Sequence, residues 1–258
     1  MKAKKILLII AAILFILLFT GLIIWWCRDY QGSQEPEEIQ LRREQEANDA
    51  WKQLLTVALT EKNNYQFIVV IDPLHGGEED GISTNYGVEK DIVLEVARLI
   101  KEQNANSEIG IFLTREKDTN PKRDMRRDLV NQLGADLYLN LQVNESSKSS
   151  TFGTQVTYQT RYYDDKLTNS VFADMLEKSI VSRIEGNALG ILEDTELQDE
   201  SLSNLTIPAV TISLGYLTNP TEGTLLSREN YQSNLASGIL DGIEQAIQTI
   251  GEQKIDTE

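Results

Sequence analysis

Six short apolar runs alternate with stretches of helical periodicity between residues 66 and 251. The runs have the length of buried strands, and the intervening stretches place apolar side chains every three or four residues, as a helix with one buried face does. This alternation predicts an α/β domain with a largely parallel or mixed central sheet of about six strands flanked by helices. The runs are FIVVID, IGIFLTR, LYLNLQV, TQVTYQT, ALGIL and AVTISLG, and the helical stretches are 90–102, 123–133, 169–184 and 230–250.

Polar side chains stand at the ends of three of these runs. His75, the only histidine of the chain, follows the first run, Gln142 lies near the end of the third, and Ser213 lies near the end of the last. In open α/β sheets, ligands bind beyond the carboxyl ends of the strands. We therefore expect these three side chains to lie at one site.

An apolar run of 22 residues without a charge, 6–27, precedes the domain. It is long enough to cross a bilayer as one helix, and the three lysines of the tail 1–5 predict that this tail stays in the cytoplasm. A cleaved signal peptide is the alternative, but its apolar region would be shorter and would end in small residues instead of Trp25 and Trp26. We expect a single-pass membrane protein whose domain lies outside the cytoplasm.

Residues 28–65 predict a linker followed by a stalk helix. The beginning of this stretch is polar, and 38–60 is charged, rich in alanine and leucine, and loosely helical in its apolar spacing. The α/β domain then spans 66–251, and 252–258 form a short tail.

The charge of the chain after the apolar run excludes one class of partner. Without the three N-terminal lysines, 21 basic and 40 acidic residues remain, which is a net charge of −19. Such a surface repels polyanions, so we expect no nucleic-acid partner. Cys27 is the only cysteine, and an internal disulfide is therefore excluded.

Five segments, in order, resemble those of the zinc-dependent N-acetylmuramoyl-L-alanine amidases, which cut the bond between muramic acid and the stem peptide of peptidoglycan. The resemblance covers about 66–251, and it implies a domain that faces the cell wall. The segments are IVVIDPLHGG, VEKDIVLEVARLI, IFLTREKD, RRDLVNQLGADLYLNLQVN and IPAVTISLGYLTNPTE.

The resemblance also implies a set of site residues. The family holds one zinc ion with two histidines and a glutamate, and a further glutamate acts as general base on the metal-bound water. Position by position, the first histidine falls on His75, and the glutamate ligand falls on Glu89. The second histidine position is Gln142, and the general-base position is Ser213, so no catalytic residue is intact.

These departures predict a degenerate member of the family. A glutamine carbonyl is a poorer zinc donor than an imidazole, and a serine takes no proton at neutral pH without a base beside it. We expect a pseudoenzyme that keeps the fold and binds peptidoglycan or a cell-wall protein as a regulatory partner. Zinc is the implied cofactor, with His75 and Glu89 as the surviving ligands, and the sequence leaves its binding open.

Two alternatives stay open. A working amidase would need a substitute ligand from the acidic run 78–80, and a structural assembly protein would oligomerise through the stalk helix.

The family identities of Asn144, Arg115 and Arg126 are also kept. We interpret the two arginines as structural, and Asn144 stays open between a role in the loop structure and a substrate contact.

Overall fold

The computed structural model describes only part of the N-terminal region. The predicted tail 1–5, most of the predicted anchor 6–27 and most of the polar linker lie outside the described residues, and so does the end of the C-terminal tail. Residues 19–20 and 22–23 of the predicted anchor are helical. Within the described part of the chain, no helix is long and apolar enough to span a membrane. The described residues are 19–20, 22–23, 37–160, 167–196, 202 and 205–255.

The chain divides into two compact units, Met1–Glu46 and Ala47–Glu258. The boundary lies inside helix α1 (Glu37–Glu61), so the second half of the predicted stalk helix belongs to the second unit. A short 3-10 turn, Lys62–Asn64, leads into the sheet. The strands are β1 (Phe67–Pro73), β2 (Ser83–Thr84), β3 (Gly87–Val88), β4 (Ile109–Leu113), β5 (Leu137–Asn144), β6 (Thr154–Tyr158), β7 (Ala188–Glu193) and β8 (Ala209–Tyr216), and the helices are α2 (Glu89–Gln103), α3 (Arg123–Leu133), α4 (Asn169–Ile184), α5 (Pro220–Leu226) and α6 (Glu229–Ile255).

Six of the strands form one sheet in the order β4-β1-β5-β8-β6-β7. The four strands from β4 to β8 are mutually parallel, β6 runs antiparallel to β8, and β7 runs parallel to β6. The predicted mixed α/β sheet of six strands is therefore confirmed, and each of the six apolar runs is a strand. The hairpin β2–β3 and helix α5 were not predicted, because elements of two and seven residues leave no periodic signal.

Alternate residues of β1 point to two separate layers of the core. Val69 and Ile71 pack into the larger layer with apolar residues of α2, α4 and α6. Ile68 and Val70 pack into the smaller layer with residues of α1 and α3. Because both faces are covered, every residue of β1 is buried, and its first five residues are apolar, as in strands of buried parallel sheets.

The second half of α1 packs on the smaller layer. Trp51 and Ala58 are buried there beside Phe112 and Leu133. The helix that the sequence predicts as a stalk therefore contributes Trp51 and Ala58 to the core of the domain.

Candidate functional site

The carboxyl ends of β1, β5 and β8 meet at one edge of the sheet. Pro73 at the end of β1 pairs with Leu141 on β5, and Gln142 on β5 pairs with Ser213 on β8. Leu74, which follows β1, donates its N–H to the Leu141 carbonyl at 3.1 Å. The convergence of the three strand ends is the arrangement that the sequence predicts.

His75 lies in a tight loop directly after β1. Its φ is +63°, a left-handed conformation that a side chain other than glycine seldom adopts. Gly76 has a φ of +127°, and a Cβ atom there would overlap the carbonyl of Thr119. The loop therefore needs glycine at this position, and its path aims the His75 side chain, which is 34% exposed, toward the start of α2.

Glu89 begins α2, and its carboxylate is buried between two backbone donors. Oε2 accepts a hydrogen bond from the N–H of Ile82 at 2.9 Å, and Oε1 accepts one from the N–H of Val143 at 2.9 Å. His75 Nε2 lies 3.4 Å from the same Oε2 atom. A carboxylate at the N-terminus of a helix also interacts favourably with the helix dipole. Glu89 therefore ties the His75 loop, α2 and the end of β5 together.

Gln142 and Ser213 are joined directly across their strands. The Gln142 amide, Nε2, donates to Ser213 Oγ at 2.9 Å, and Ser213 is only 1% exposed. Gln142 is flanked on β5 by Leu141, which binds the His75 loop, and by Val143, which binds Glu89. The four predicted site positions thus lie together at this edge of the sheet, which is called the cleft below: His75 contacts Glu89, and Gln142 contacts Ser213.

The sequence of the domain matches a family profile described as N-acetylmuramoyl-L-alanine amidase over residues 69–245. The chain belongs to this amidase family. The matched stretch includes the strands that carry the site and all four of its predicted residues.

Proteins of known sequence and structure resemble this amidase-family chain. The germination-specific N-acetylmuramoyl-L-alanine amidase of Bacillus subtilis is 29% identical over 216 residues, which are 76% of this chain and 84% of that protein. The Staphylococcus aureus protein named "Probable cell wall amidase LytH" is 28% identical, and the match spans 71% of this chain but only 60% of that protein. The amidase structure from Clostridium difficile 630 superposes with a TM-score of 0.65 at 28% identity, covering 72% of this chain and 98% of that one.

The amidase family is usually zinc-dependent, and one pair of donor atoms at this site has the spacing of two zinc ligands. Two tetrahedral zinc ligands lie about 3.4 Å apart, which is the distance between His75 Nε2 and Glu89 Oε2. In the described part of the chain, however, no three His, Cys, Asp or Glu side chains are placed to hold one metal ion. Gln142, to which the sequence resemblance assigns the third ligand position, donates its amide N–H to Ser213. The residues present therefore do not fit a catalytic zinc site with three protein ligands.

The acidic run 78–80 is partly committed to other contacts. Asp80 Oδ1 lies 2.7 Å from the ammonium of Lys90, which also contacts Asp118 at 3.2 Å and donates to the Gly77 carbonyl at 2.8 Å. Moving Asp80 toward His75 would break the shorter of the two ion pairs. The structure thus gives Asp80 a role in holding the loop.

Arg115 holds the His75 loop through hydrogen bonds to backbone carbonyls. Its side chain is buried, and the guanidinium donates to the carbonyls of Pro73, Leu74, Lys90 and Lys117 at 2.8–3.2 Å. Burial, and after it the positive charge of Arg126, lower the pKa of Arg115 to about 10. Arg115 is still protonated at neutral pH, so it joins the end of β1 to the start of α2 with charge-assisted hydrogen bonds.

Arg126 forms an ion pair with a buried carboxylate near the end of β1. Asp72, fully buried on β1, accepts hydrogen bonds from Arg126 Nη1, from Thr114 Oγ1 and from the hydroxyl of Tyr138. The ion pair is thus fully hydrogen-bonded on the carboxylate side, as a buried charge must be. Both arginines have the structural surroundings that the sequence interpretation gives them.

Asn144 and Glu222 hold the segments that follow β5 and β8 through hydrogen bonds to backbone groups. The Asn144 carbonyl accepts the N–H of Leu217 at 2.9 Å, which closes β5 onto the turn after β8. The Glu222 carboxylate accepts the N–H groups of Tyr216 at 2.6 Å and Gly153 at 3.0 Å, and burial raises its pKa. Sequence reasoning missed Glu222. The pattern Asn-Pro-Thr-Glu resembles a helix capping signal, but the partner Gly153 lies 69 residues away.

Proposed function

We propose that this chain is a membrane-anchored, cell-wall-facing amidase-like protein that has lost its catalyst and acts as a peptidoglycan-binding or regulatory partner. The anchor is the apolar run 6–27, with the tail 1–5 in the cytoplasm and the domain outside. Membership of an amidase family supports peptidoglycan as the ligand of the cleft.

The hydrogen bond between Gln142 and Ser213 carries the proposal. At the positions of the second zinc ligand and the general base, this chain has an amide and a hydroxyl that are bonded to each other. Neither group takes up a proton at neutral pH, and the serine has no described base as its hydrogen-bond partner. The cleft keeps polar groups that can bind a ligand, while the groups that would activate water are replaced.

An active amidase with an altered metal site is the second candidate. The observation that favours it is the 3.4 Å spacing of His75 and Glu89, which suits two ligands of one zinc ion. A metal held by two protein side chains binds weakly, because the loss of outer partners alone already lowers affinity by about 10–100-fold. We therefore favour the non-catalytic function.

Two measurements on the full-length chain test the proposal together. Purified peptidoglycan is incubated with the protein in excess zinc, and both the bound protein and the released stem peptide are quantified. We expect the protein to sediment with peptidoglycan and to release no stem peptide above the background without protein. Release that is abolished by Glu89→Gln would overturn the loss of catalysis, and failure to sediment with peptidoglycan would overturn the peptidoglycan-binding role.

A further inference from the structure

The loop that carries His75 has three successive residues at positive φ. The angles are +63° at His75, +127° at Gly76 and +56° at Gly77. Glycine adopts such angles at little steric cost, whereas a histidine there is strained and persists only where its surroundings hold it. The contacts that hold this loop therefore decide where the His75 side chain lies.

The entry of the loop is held by Arg115 and by β5. The Arg115 guanidinium donates to the carbonyls of Pro73 at 2.8 Å and Leu74 at 3.1 Å. The N–H of Leu74 donates to the Leu141 carbonyl on β5. All three contacts involve residues that precede His75. They fix the end of β1, and the path of the chain after His75 depends on other groups.

The exit of the loop is held by Lys90, the second residue of α2. Its ammonium donates to the Gly77 carbonyl at 2.8 Å and lies 2.7 Å from Asp80 Oδ1 and 3.2 Å from Asp118 Oδ2. An ammonium has three N–H donors, and these three oxygens match them. The Lys90 side chain is only 13% exposed, and a network on one such group holds more firmly than single surface ion pairs do. These four residues are called the Lys90 clamp below.

Asp118 completes the clamp from the segment that follows β4. Its Oδ1 atom accepts the N–H of Gly77 at 2.7 Å, while Oδ2 contacts Lys90. Both backbone polar groups of Gly77 are therefore bonded within the clamp. Gly76 and Glu79 also exchange two backbone hydrogen bonds, at 2.9 and 3.0 Å. The turn that leaves the histidine is thus closed on itself and tied to α2.

The place of Lys90 in α2 also points to the clamp. A positive charge in the first turn of a helix is disfavoured by the helix dipole, so the two aspartates compensate for an otherwise unfavourable position. Lys90 follows Glu89 directly, and His75 Nε2 lies 3.4 Å from Glu89 Oε2. The described hydrogen bonds and ion pairs of the Lys90 side chain go to the clamp residues and not to this pair. Any effect of Lys90 on His75 is therefore transmitted through the loop.

We propose that Lys90 is a positioning residue of the cleft, which clamps the exit of the loop and so keeps His75 packed against Glu89. The inference rests on the proposed function only in that a ligand of the cleft would meet His75 in this position. Its test needs neither peptidoglycan nor catalysis. A failure of the clamp and a failure of the cleft to bind peptidoglycan are therefore separate results.

The test uses the full-length chain in detergent, purified with a tag that contains no histidine. His75 is the only histidine of the chain, so isotope-labelled histidine gives one set of imidazole signals in the NMR spectrum. A Cβ atom on Gly81 would lie 2.6 Å from His75 Cδ2, and a Gly81 hydrogen takes that direction in the parent. A nuclear Overhauser contact between the imidazole and Gly81 therefore reports the position of His75. Hydrogen exchange of the Gly77 N–H reports the opening of the clamp.

Two changes open the clamp in different ways. Lys90→Met keeps most of the apolar stem and removes the ammonium. Asp80→Asn combined with Asp118→Asn keeps oxygen acceptors and removes both negative charges, at side chains that are more than half exposed. Lys101→Met is the matched control, because it breaks an exposed ion pair with Glu116 on the same helix, outside the clamp.

We expect Lys90→Met to shift the His75 signals, to weaken the contact with Gly81 and to accelerate exchange of the Gly77 N–H by about 10-fold or more. The loss of a hydrogen bond to a charged group changes an opening equilibrium by about this factor. The double asparagine variant should show smaller changes in the same direction. Lys101→Met should leave all three observations unchanged.

Two results would overturn the proposal. The first is a His75 spectrum and a Gly81 contact that stay as in the parent in both clamp variants, or that change equally in Lys101→Met. The second is an acceleration of exchange in Lys90→Met that is as large at Val70 in the middle of β1 as at Gly77, while the double asparagine variant leaves His75 unchanged. Lys90 would then support the whole fold and not the position of His75.

Discussion

Gln142 Nε2 lies 2.9 Å from Ser213 Oγ, across the paired strands β5 and β8. By the resemblance of their sequence segments, we assign the two residues to the positions that supply a zinc ligand and the general base in the amidase family. Their hydrogen bond satisfies the serine hydroxyl in a place where it has almost no contact with solvent. The two side chains therefore form a matched polar pair.

The environment of Ser213 predicts a pH-dependent penalty for a carboxylate at this position. Ser213→Glu should lower the free energy of unfolding by about 1–3 kcal/mol at pH 8, because a buried charge without a partner is costly. Protonation removes the charge, so the difference from the uncharged control Ser213→Gln should shrink as the pH falls to 4. Chemical denaturation of both variants across this range measures the effect. Equal stabilities at pH 8 would contradict a closed environment around position 213.

A substitution at Gly81 tests whether His75 and Glu89 pack closely beside it. A Cβ atom at Gly81 would lie 2.5 Å from Glu89 Oε2 and 2.6 Å from His75 Cδ2. Gly134 has the same φ of +67°, but a Cβ atom there would enter open space, so Gly134→Ala measures the backbone strain alone. That strain costs about 1–2 kcal/mol. Gly81→Ala should be clearly less stable than Gly134→Ala in the same denaturation assay, and equal losses would contradict the packing of the pair.

The buried pair of Asp72 and Arg126 predicts a large loss of stability when it is broken. Arg126→Met leaves the fully buried Asp72 carboxylate without its cation, and the free energy of unfolding should fall by about 3–5 kcal/mol. Arg183→Met, which removes the more exposed partner of Asp241, is the control and should change stability little. Adding Asp72→Asn to Arg126→Met should recover part of the loss. A small effect of Arg126→Met would show that water reaches Asp72.

Glu222 predicts a stability change with pH. Burial raises its pKa above the ordinary value of 4.5, although the N–H groups of Tyr216 and Gly153 oppose the shift. The folded state then binds the proton more tightly than the unfolded state does. The contribution is therefore fully present below pH 4.5 and is lost as the pH rises through the folded-state pKa. Melting temperatures of the parent between pH 4 and 8 should include this decline, and Glu222→Gln should remove it. An unchanged pH profile in that variant would contradict the assignment.

The sequence predicts elements and strand ends better than it predicts contacts. The bounds of α3 and α4 agree with the helical stretches 123–133 and 169–184, and for α3 the apolar periodicity that reports local burial is strong. The contact of Glu222 with Gly153 depends on how distant segments pack, and periodicity carries no record of it. The apolar run ALGIL predicts a buried strand by its composition, yet β7 is largely exposed and lies at the edge of the sheet.

At the site, too, the positions of residues are predicted better than the contacts between them. The resemblance places His75, Glu89, Gln142 and Ser213 at the positions of one catalytic site, and the strand ends bring them together. The hydrogen bond between Gln142 and Ser213 depends on the pairing register of β5 and β8, which a single sequence does not specify. The Arg115 contacts depend on carbonyls from three separate segments.

The most direct test of the proposed loss of catalysis is the release of stem peptide from purified peptidoglycan in excess zinc. The parent chain is compared with Gln142→His combined with Ser213→Glu, and with the same pair carrying Glu89→Gln as an inactive control. We predict that only the doubly substituted chain releases stem peptide, because His75 and Glu89 already have the spacing of two zinc ligands. Release by the parent chain, abolished by Glu89→Gln alone, would contradict the account.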